Sequence, residues 1–224
     1  MPDHGAPAWY IYGAGGFGVE TLDICISAMA AGKVPKRSMR FIVDGFTERD
    51  VLGYPVVELA DCQKGAFVTI AVGEPAARAK LAEKVTEAGL KLCSAIAPSA
   101  VISPSATIED GVIVAPFCSV QARAFIGRNA AVNTMAIVGH DVNVAEDAVI
   151  SSMVNLGGAV RVGARAYIGM GGSVREKLTV GADSIVGMGS VVHNDVPEEV
   201  IAMGNPARVL RRNEDKTVFR KTGE

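Results

Sequence analysis

The stretch AFIGRNAAVNTMAIVGHDVNV, residues 124–144, carries a period that belongs to neither a helix nor a simple strand. Ile126, Val132, Val138 and Val144 stand six residues apart. Followed outward, the series runs from Ile102 to Val192 through sixteen positions, every one Val, Ile or Leu. These three types make up 54 of the 224 residues, so chance would give the series with a probability of about 10^-10. A helix repeats at about 3.6 residues and a strand at about 2. A period of six is the signature of a hexapeptide β-helix. The residue two before each aliphatic is usually small, as at Ala124, Ala130 and Ala136. The residue after it is often glycine, as at Gly127, Gly139, Gly157, Gly163 and Gly169. The expected unit is a short strand and a corner: aliphatic inward, small residue beside it, glycine accommodating the bend.

Before Ile102 the pattern changes. Ala8 to Tyr12 reads as a buried strand, followed by Gly13-Ala14-Gly15-Gly16-Phe17-Gly18 and by Val19, Leu22, Ile26 and Met29 at helical spacing. Arg40 to Val43 reads as a second strand ending at Asp44, Tyr54 to Val57 as a short one, and Ala66 to Val72 as another, ending at Gly73. Ala77, Leu81, Val85 and Ala88 mark a helix, and Leu90 to Ile96 closes the region. This alternation implies a parallel sheet flanked by helices, a Rossmann-like α/β domain. The expected divisions are residues 1–97 for that domain, 98–212 for the β-helix and 213–224 for a C-terminal tail. The glycine run fits G-x-G-x-x-G between a strand and a helix, where backbone amides can meet phosphate. Some ninety residues suit one nucleotide better than two, which argues against an NAD-dependent dehydrogenase.

Charge and hydropathy exclude other classes. Lys plus Arg number 22 against 24 Asp plus Glu, a net charge of -2, which does not suit nucleic-acid binding by phosphate neutralisation. No apolar run approaches the ~20 residues of a membrane-spanning helix. The N-terminus lacks the pattern of a signal peptide, so a cytoplasmic protein is expected. Cys25, Cys62, Cys93 and Cys118 form no CxxC pair and read as reduced thiols, not a zinc site or disulfide framework.

The combination of GAGGFG, Phe41-Ile42-Val43-Asp44, Ala71-Val72-Gly73 with Arg78, the hexad array and the ending Gly204-Asn205-Pro206-Ala207-Arg208 resembles the sialic acid O-acetyltransferase/bacillosamine N-acetyltransferase family of hexapeptide-repeat sugar acyltransferases. The resemblance covers roughly residues 8 to 210. It implies three hexads per triangular coil, about five coils, a left-handed superhelix and a homotrimer. It also implies acetyl-CoA as co-substrate along the β-helix between two subunits, a sugar nucleotide on the α/β domain, and no metal.

The resemblance further implies a histidine acting as general base. The match falls on Asn133 to Asp141, so His140 is the candidate and Asp141 the acidic residue that orients it; His4 sits in the N-terminal tail and His193 in the last hexad. An imidazole can take a proton near neutral pH, which suits the role. Eighteen residues beyond His140 is Gly158, where relatives place an amide for the acetyl carbonyl. Met170 and Met188 fall along the pantetheine arm by the same analogy, and Arg208, with Arg212, near the CoA phosphates. For the sugar nucleotide the expected residues are Gly13, Gly15, Gly16, Phe17, Asp44, Gly73 and Arg78, with Asp44 on the base or ribose and Arg78 on the pyrophosphate. Two departures bear on the substrate: many relatives have histidine at the positions of Phe17 and Val149. UDP- and GDP-linked amino sugars both stay open. So do O-acetylation of a sialic-type acid and a non-catalytic sugar-nucleotide-binding role. A γ-carbonic-anhydrase-like site would need three histidine ligands.

Overall fold

A computed structural model describes residues 7–45 and 50–219; His4 lies outside the described residues. The N-terminal sheet contains β1 (Trp9–Tyr12), β2 (Met39–Ile42), β3 (Asp50–Val51), β4 (Tyr54–Val57), β5 (Phe67–Ile70) and β6 (Lys91–Leu92), in the order β3-β4-β2-β1-β5-β6. All neighbours are parallel except β3 and β4. Helix α1 (Gly16–Ala30) follows β1, and α2 (Pro75–Glu87) follows β5. Every residue of β1 is buried, as a parallel strand covered on both faces requires. The chain leaves β1 toward β2 on one side and later returns to β5 on the other. The C-terminal ends of β1 and β5 therefore flank a topological switch point, the usual ligand crevice of such sheets.

From Ala95 the chain winds into a parallel β-helix. Each of the sixteen aliphatics is the second residue of a two-residue strand, and every such strand up to Ser173–Val174 pairs with the one eighteen residues on, as Phe125 does with Asn143 and Ile126 with Val144. One coil is therefore three hexads. The sheets begin with Ala95–Ile96, paired to Ile113–Val114, inside the segment expected to close the α/β domain. At the far end Val200–Gly204 and Ala207–Arg212 form an antiparallel hairpin on the same sheet. From Val114 to Val192 the inward aliphatics are all buried.

The glycines after the aliphatics have a different cause from the one expected. The left-handed backbone conformation sits two residues later, at Phe117, Arg123, Asn129, Met135, Asp141 and their successors. Gly139 and Gly157 are not left-handed. A Cβ on Gly139 would lie 2.6 Å from the Leu156 carbonyl oxygen, and one on Gly157 would lie 2.6 Å from the Glu176 amide nitrogen. Close approach of successive coils, not the bend, selects glycine there.

The three faces differ in what they show outward. The first face presents Ala95, Ile113, Ala131, Val149 and Ile185, all buried, and Tyr167, half-buried. The α/β domain lies along it: α1 meets the strand Ala95–Ile96, and α2 reaches the corner at Asn129. The second face presents Val101, Ser119, Ile137, Asn155, Ser173 and Val191. Val101 and Ile137 are exposed there, and Phe117, Met135, Met153, Met170 and Met188 are exposed at the corner between the first and second faces. The third face presents Thr107, Phe125, Asn143, Arg161 and Thr179.

Arg78 corrects the sequence reading. It is fully buried, and its guanidinium donates to the carbonyl oxygens of Ile70 (2.6 Å), Val72 (3.1 Å) and Asn129 (2.8 Å) and to Asn129 Oδ1 (3.1 Å). Burial lowers its pKa to about 10, partly offset by Asp147. With its donors engaged inside the protein, Arg78 is a clamp between the two domains and is not placed to meet a pyrophosphate. Among the described residues no helix is long and apolar enough to cross a membrane. All four cysteines are free, and burial raises their thiol pKa values, those of Cys62 and Cys93 to about 11.

Arg78→Ala strands the buried carbonyl oxygens of Ile70 and Asn129 and the part-buried one of Val72. The expected cost is about 2–4 kcal/mol of unfolding free energy, read by chemical denaturation. An unchanged unfolding midpoint would overturn the clamp.

Candidate active site

The corner between the second and third faces stacks Gln121–Ala124, Gly139–Val142 and Gly157–Val160 directly above one another. Backbone bonds stitch the column: Asp141 N–H donates to the Ala122 carbonyl (3.0 Å) and Ala159 N–H to the His140 carbonyl (2.8 Å). Asp141 has φ +60° and Arg123 +57°, and aspartate tolerates that conformation better than most residues.

His140 Nδ1 lies 2.7 Å from Asp141 Oδ2. Asp141 is also gripped by Arg123, whose Nε and Nη2 donate to Oδ1 (2.6 Å) and Oδ2 (2.8 Å). These bonds, Arg123 first and His140 second, hold the Asp141 carboxyl at about 2. An ionised carboxylate only accepts hydrogen bonds, so Nδ1 carries the proton of the neutral imidazole and Nε2 keeps its lone pair. Nε2 faces Gly158. A Cβ built there would lie 2.5 Å from Nε2 and 2.6 Å from Cε1. Among the described residues the Gly158 N–H finds no acceptor. The corner thus sets a proton acceptor beside an unused backbone donor, the pair needed for attack on a carbonyl. The His140 side chain is 61% exposed.

Arg123 was missed by the sequence reading. The signal was available: it lies eighteen residues before Asp141, the interval that gave Gly158.

The other expected residues form separate groups. Gly13, Asp44 and Gly73 follow β1, β2 and β5 at the C-terminal edge of the sheet. Gly13 has φ +104°, and a Cβ there would lie 2.8 Å from the Ala71 carbonyl oxygen. Gly15 caps α1 and Gly16 begins it; a Cβ on either would meet nothing within 4 Å. The protein's own packing does not require glycine at these two positions, and the space above the first-turn amides is open to a ligand. Asp44 accepts from Tyr12 Oη (2.7 Å) and Lys84 Nζ (3.2 Å), and the tyrosine bond leads in lowering its carboxyl pKa. Gly73 is covered by the Phe219 ring, whose backbone N–H and that of Val218 are held by Glu74 Oε2 at 3.1 and 2.9 Å.

Phe17 lines a cleft of about 260 Å³ between α1 and the first-to-second corner, with Glu20, Asp23, Asn133 and Thr134. Asn133 Oδ1 is buried without a partner. Met170 and Met188 lie on this corner, away from His140 and Gly158 within one chain, and are 45% and 71% exposed. Arg208 is exposed on the terminal hairpin, and its Nη1 donates to the neighbouring Ala207 carbonyl (3.1 Å). Val149 is buried on the first face.

Comparison with known proteins gives consistent matches. The family model described as the PglD N-terminal domain matches residues 9–85. A histidine variant of perosamine N-acetyltransferase from Caulobacter crescentus, in complex with CoA and GDP-perosamine, is 33% identical, with 91% of this chain and 96% of that chain covered and a TM-score of 0.82. The acetyltransferase domain of PglB from Neisseria gonorrhoeae, in complex with acetyl coenzyme A, is 33% identical over 92% of this chain and 100% of that chain, with a TM-score of 0.82. WeeI from Acinetobacter baumannii is 28% identical over 91% and 99%, with a TM-score of 0.83. The fold is thus a Rossmann-like domain joined to a left-handed β-helix.

Two outcomes check this geometry. Gly158→Ala places a methyl against Nε2, so a crystal structure of the variant should show the imidazole swung away from Asp141; an unmoved ring would refute the crowding. The folded-state pKa of Asp141 lies below its unfolded value. Its stabilising contribution is therefore full above the ordinary carboxylate range and lost as pH falls through about 2. Its carboxyl carbon resonance should show no protonation of the carboxylate itself down to about pH 4; a carboxyl protonation step near the ordinary carboxylate value would contradict the Arg123 grip.

Proposed function

This chain belongs to the sialic acid O-acetyltransferase/bacillosamine N-acetyltransferase family of hexapeptide-repeat sugar acyltransferases, and we propose that it moves the acetyl group of acetyl-CoA onto the amino group of a nucleotide-linked 4-amino deoxysugar. The observation that carries the reading is the stack of Asp141, His140 and Gly158 on one corner. The neutral amine attacks the thioester carbonyl carbon while His140 Nε2 takes its proton. The carbonyl oxygen becomes an oxyanion and accepts from the Gly158 N–H. The C–S bond then breaks, and the thiolate receives the proton from the imidazolium, leaving amide and CoA. Asp141 fixes the tautomer and balances the imidazolium charge.

The sugar nucleotide lies across the C-terminal edge of the sheet: Gly13, Gly15 and Gly16 admit phosphate, and Asp44 and Gly73 flank it. The sugar points into the Phe17 cleft, where Asn133 Oδ1 offers an unused acceptor. That cleft and His140 sit on opposite edges of the second face, so one chain cannot close the site. The exposed apolar side chains on and beside this face favour a second copy, in a homotrimer that sets one subunit's cleft beside another's His140. Met170 and Met188 would then border the pantetheine arm, and Arg208 the CoA phosphates. Use of acetyl-CoA and nucleotide sugars makes this a cytoplasmic reaction of glycan synthesis.

The test is CoA thiol release with UDP- and GDP-linked 4-amino sugars, beside free sialic acid. Release with one amino-sugar nucleotide is expected and names the nucleotide; release with sialic acid alone would make the protein an O-acetyltransferase. His140→Ala should lose roughly 10^2- to 10^4-fold in turnover with its fold retained. Light scattering should give three times the monomer mass; a monomer with full activity would refute the shared site.

A further inference from the structure

Asp141 Oδ2 accepts from two donors at once, His140 Nδ1 at 2.7 Å and Arg123 Nη2 at 2.8 Å, while Oδ1 accepts from Arg123 Nε at 2.6 Å. The planar fork leaves the carboxylate one orientation, and that orientation puts Oδ2 on the imidazole. We propose that Arg123 is a positioning residue for His140: it fixes Asp141 as an acceptor for Nδ1 and screens the carboxylate charge that the imidazole feels. The proposal rests on the reading of His140 as the base.

Arg123 has no structural duty comparable to that of Arg78. Its side chain is 67% exposed, and among the described residues its only side-chain partner is Asp141. The same arrangement recurs elsewhere on the β-helix, where Arg165 grips Asp183 eighteen residues on, at 2.8 and 2.7 Å. There the aspartate passes its second contacts to Lys216, a fixed cation. At Asp141 the second contact is an imidazole, a group that can gain and lose a proton. Few other charges bear on it. The coil above supplies Gly157, Gly158 and Ala159, and the one below Gln121 and Ala122, none titratable. Beyond them lie Arg161 on the third face and Arg175, Glu176 and Lys177 on the next corner up.

The sign follows from charge. A bare carboxylate favours imidazolium; a guanidinium on its far side weakens that preference. Removing the guanidinium therefore keeps the base protonated to higher pH. Lysine keeps the charge but not the two-pronged grip.

The experiment is the pH profile of kcat/KM for the full-length protein and its Arg123→Gln, Arg123→Lys, Asp141→Asn and His140→Ala variants, each checked for melting temperature and assembly. Arg123→Gln should lose roughly ten-fold at the plateau, and its acidic limb should move to higher pH. Arg123→Lys should keep the limb in place with an intermediate plateau. Asp141→Asn removes the negative charge and should move the limb down, which tests the proposal even if Arg123→Gln does not fold. A wild-type limb in Arg123→Gln, or an unmoved limb in Asp141→Asn, overturns the positioning role. Full turnover by His140→Ala strikes instead at the acetyl-transfer reading; an inactive His140→Ala beside a wild-type profile for Arg123→Gln strikes only the Arg123 proposal.

Discussion

The parallel hydrogen-bond ladder, in which each residue pairs with the one eighteen later, governs everything else in this chain. Once that register is set, a side chain on the β-helix has two fixed neighbours, one coil below and one above, at the strand spacing of about 4.8 Å. Like charges stacked at that distance repel, and opposite charges bind. The columns obey this rule: Arg123 under Asp141, Arg165 under Asp183, Asn129 under Asp147. The same constraint puts a glycine against the imidazole, because any side chain at position 158 would occupy the space of His140. The ladder that holds the fold together therefore also assembles the candidate site.

Because the register is so strict, much of it was legible in the sequence. The aliphatic period located all sixteen strands to the residue, and adding eighteen to 140 found Gly158. Arg123 escaped because the arithmetic was run upward from His140 and not downward from Asp141. The glycine that follows many of the aliphatics has a cause that the period alone does not reveal. A period says that a small residue is needed; it does not say whether torsion or a neighbouring coil needs it. The first face also left a mark that went unread. Ala95, Ile113, Ala131, Val149, Tyr167 and Ile185 recur at intervals of eighteen just before the inward aliphatic, so this face is largely apolar on both sides and has to be covered.

The α/β domain was less legible in its details. Its two helices and the strands other than Asp50–Val51 are legible because buried parallel strands are dense in apolar residues. The role of Arg78 was not, because an arginine on a helix ordinarily faces water. The buried positions of α2 are Pro75, Arg78, Ala82 and Val85, which places Arg78 on the core stripe. The apolar series Ala77, Leu81, Val85 and Ala88 meets the buried stripe at Val85, but Ala77 and Leu81 fall one position short of Arg78 and Ala82. Nothing in the local sequence shows that a carbonyl of Asn129, fifty-one residues on, waits to receive the guanidinium.

The placement of the two domains bears on how the chemistry could work. The α/β domain covers the first face, while His140 stands on the corner farthest from that face and is largely exposed. A base there would be surrounded by water, and the Gly158 amide would stabilise an oxyanion only weakly against so polar a solvent. Both groups become effective when water is excluded and an acceptor is held in place. On the proposed reading the means for each stand on separate corners: a cleft beside Phe17 and Asn133, where Asn133 Oδ1 is buried without a partner, and the imidazole of His140 beside Gly158. Face two, exposed and partly apolar, separates them. Packing one copy's second face against another would remove water from the corner and bring the complementary corner of the neighbour to it. On this reading the exposed apolar residues and the incomplete site have one physical cause, since the surface that needs burial borders the groups that need drying.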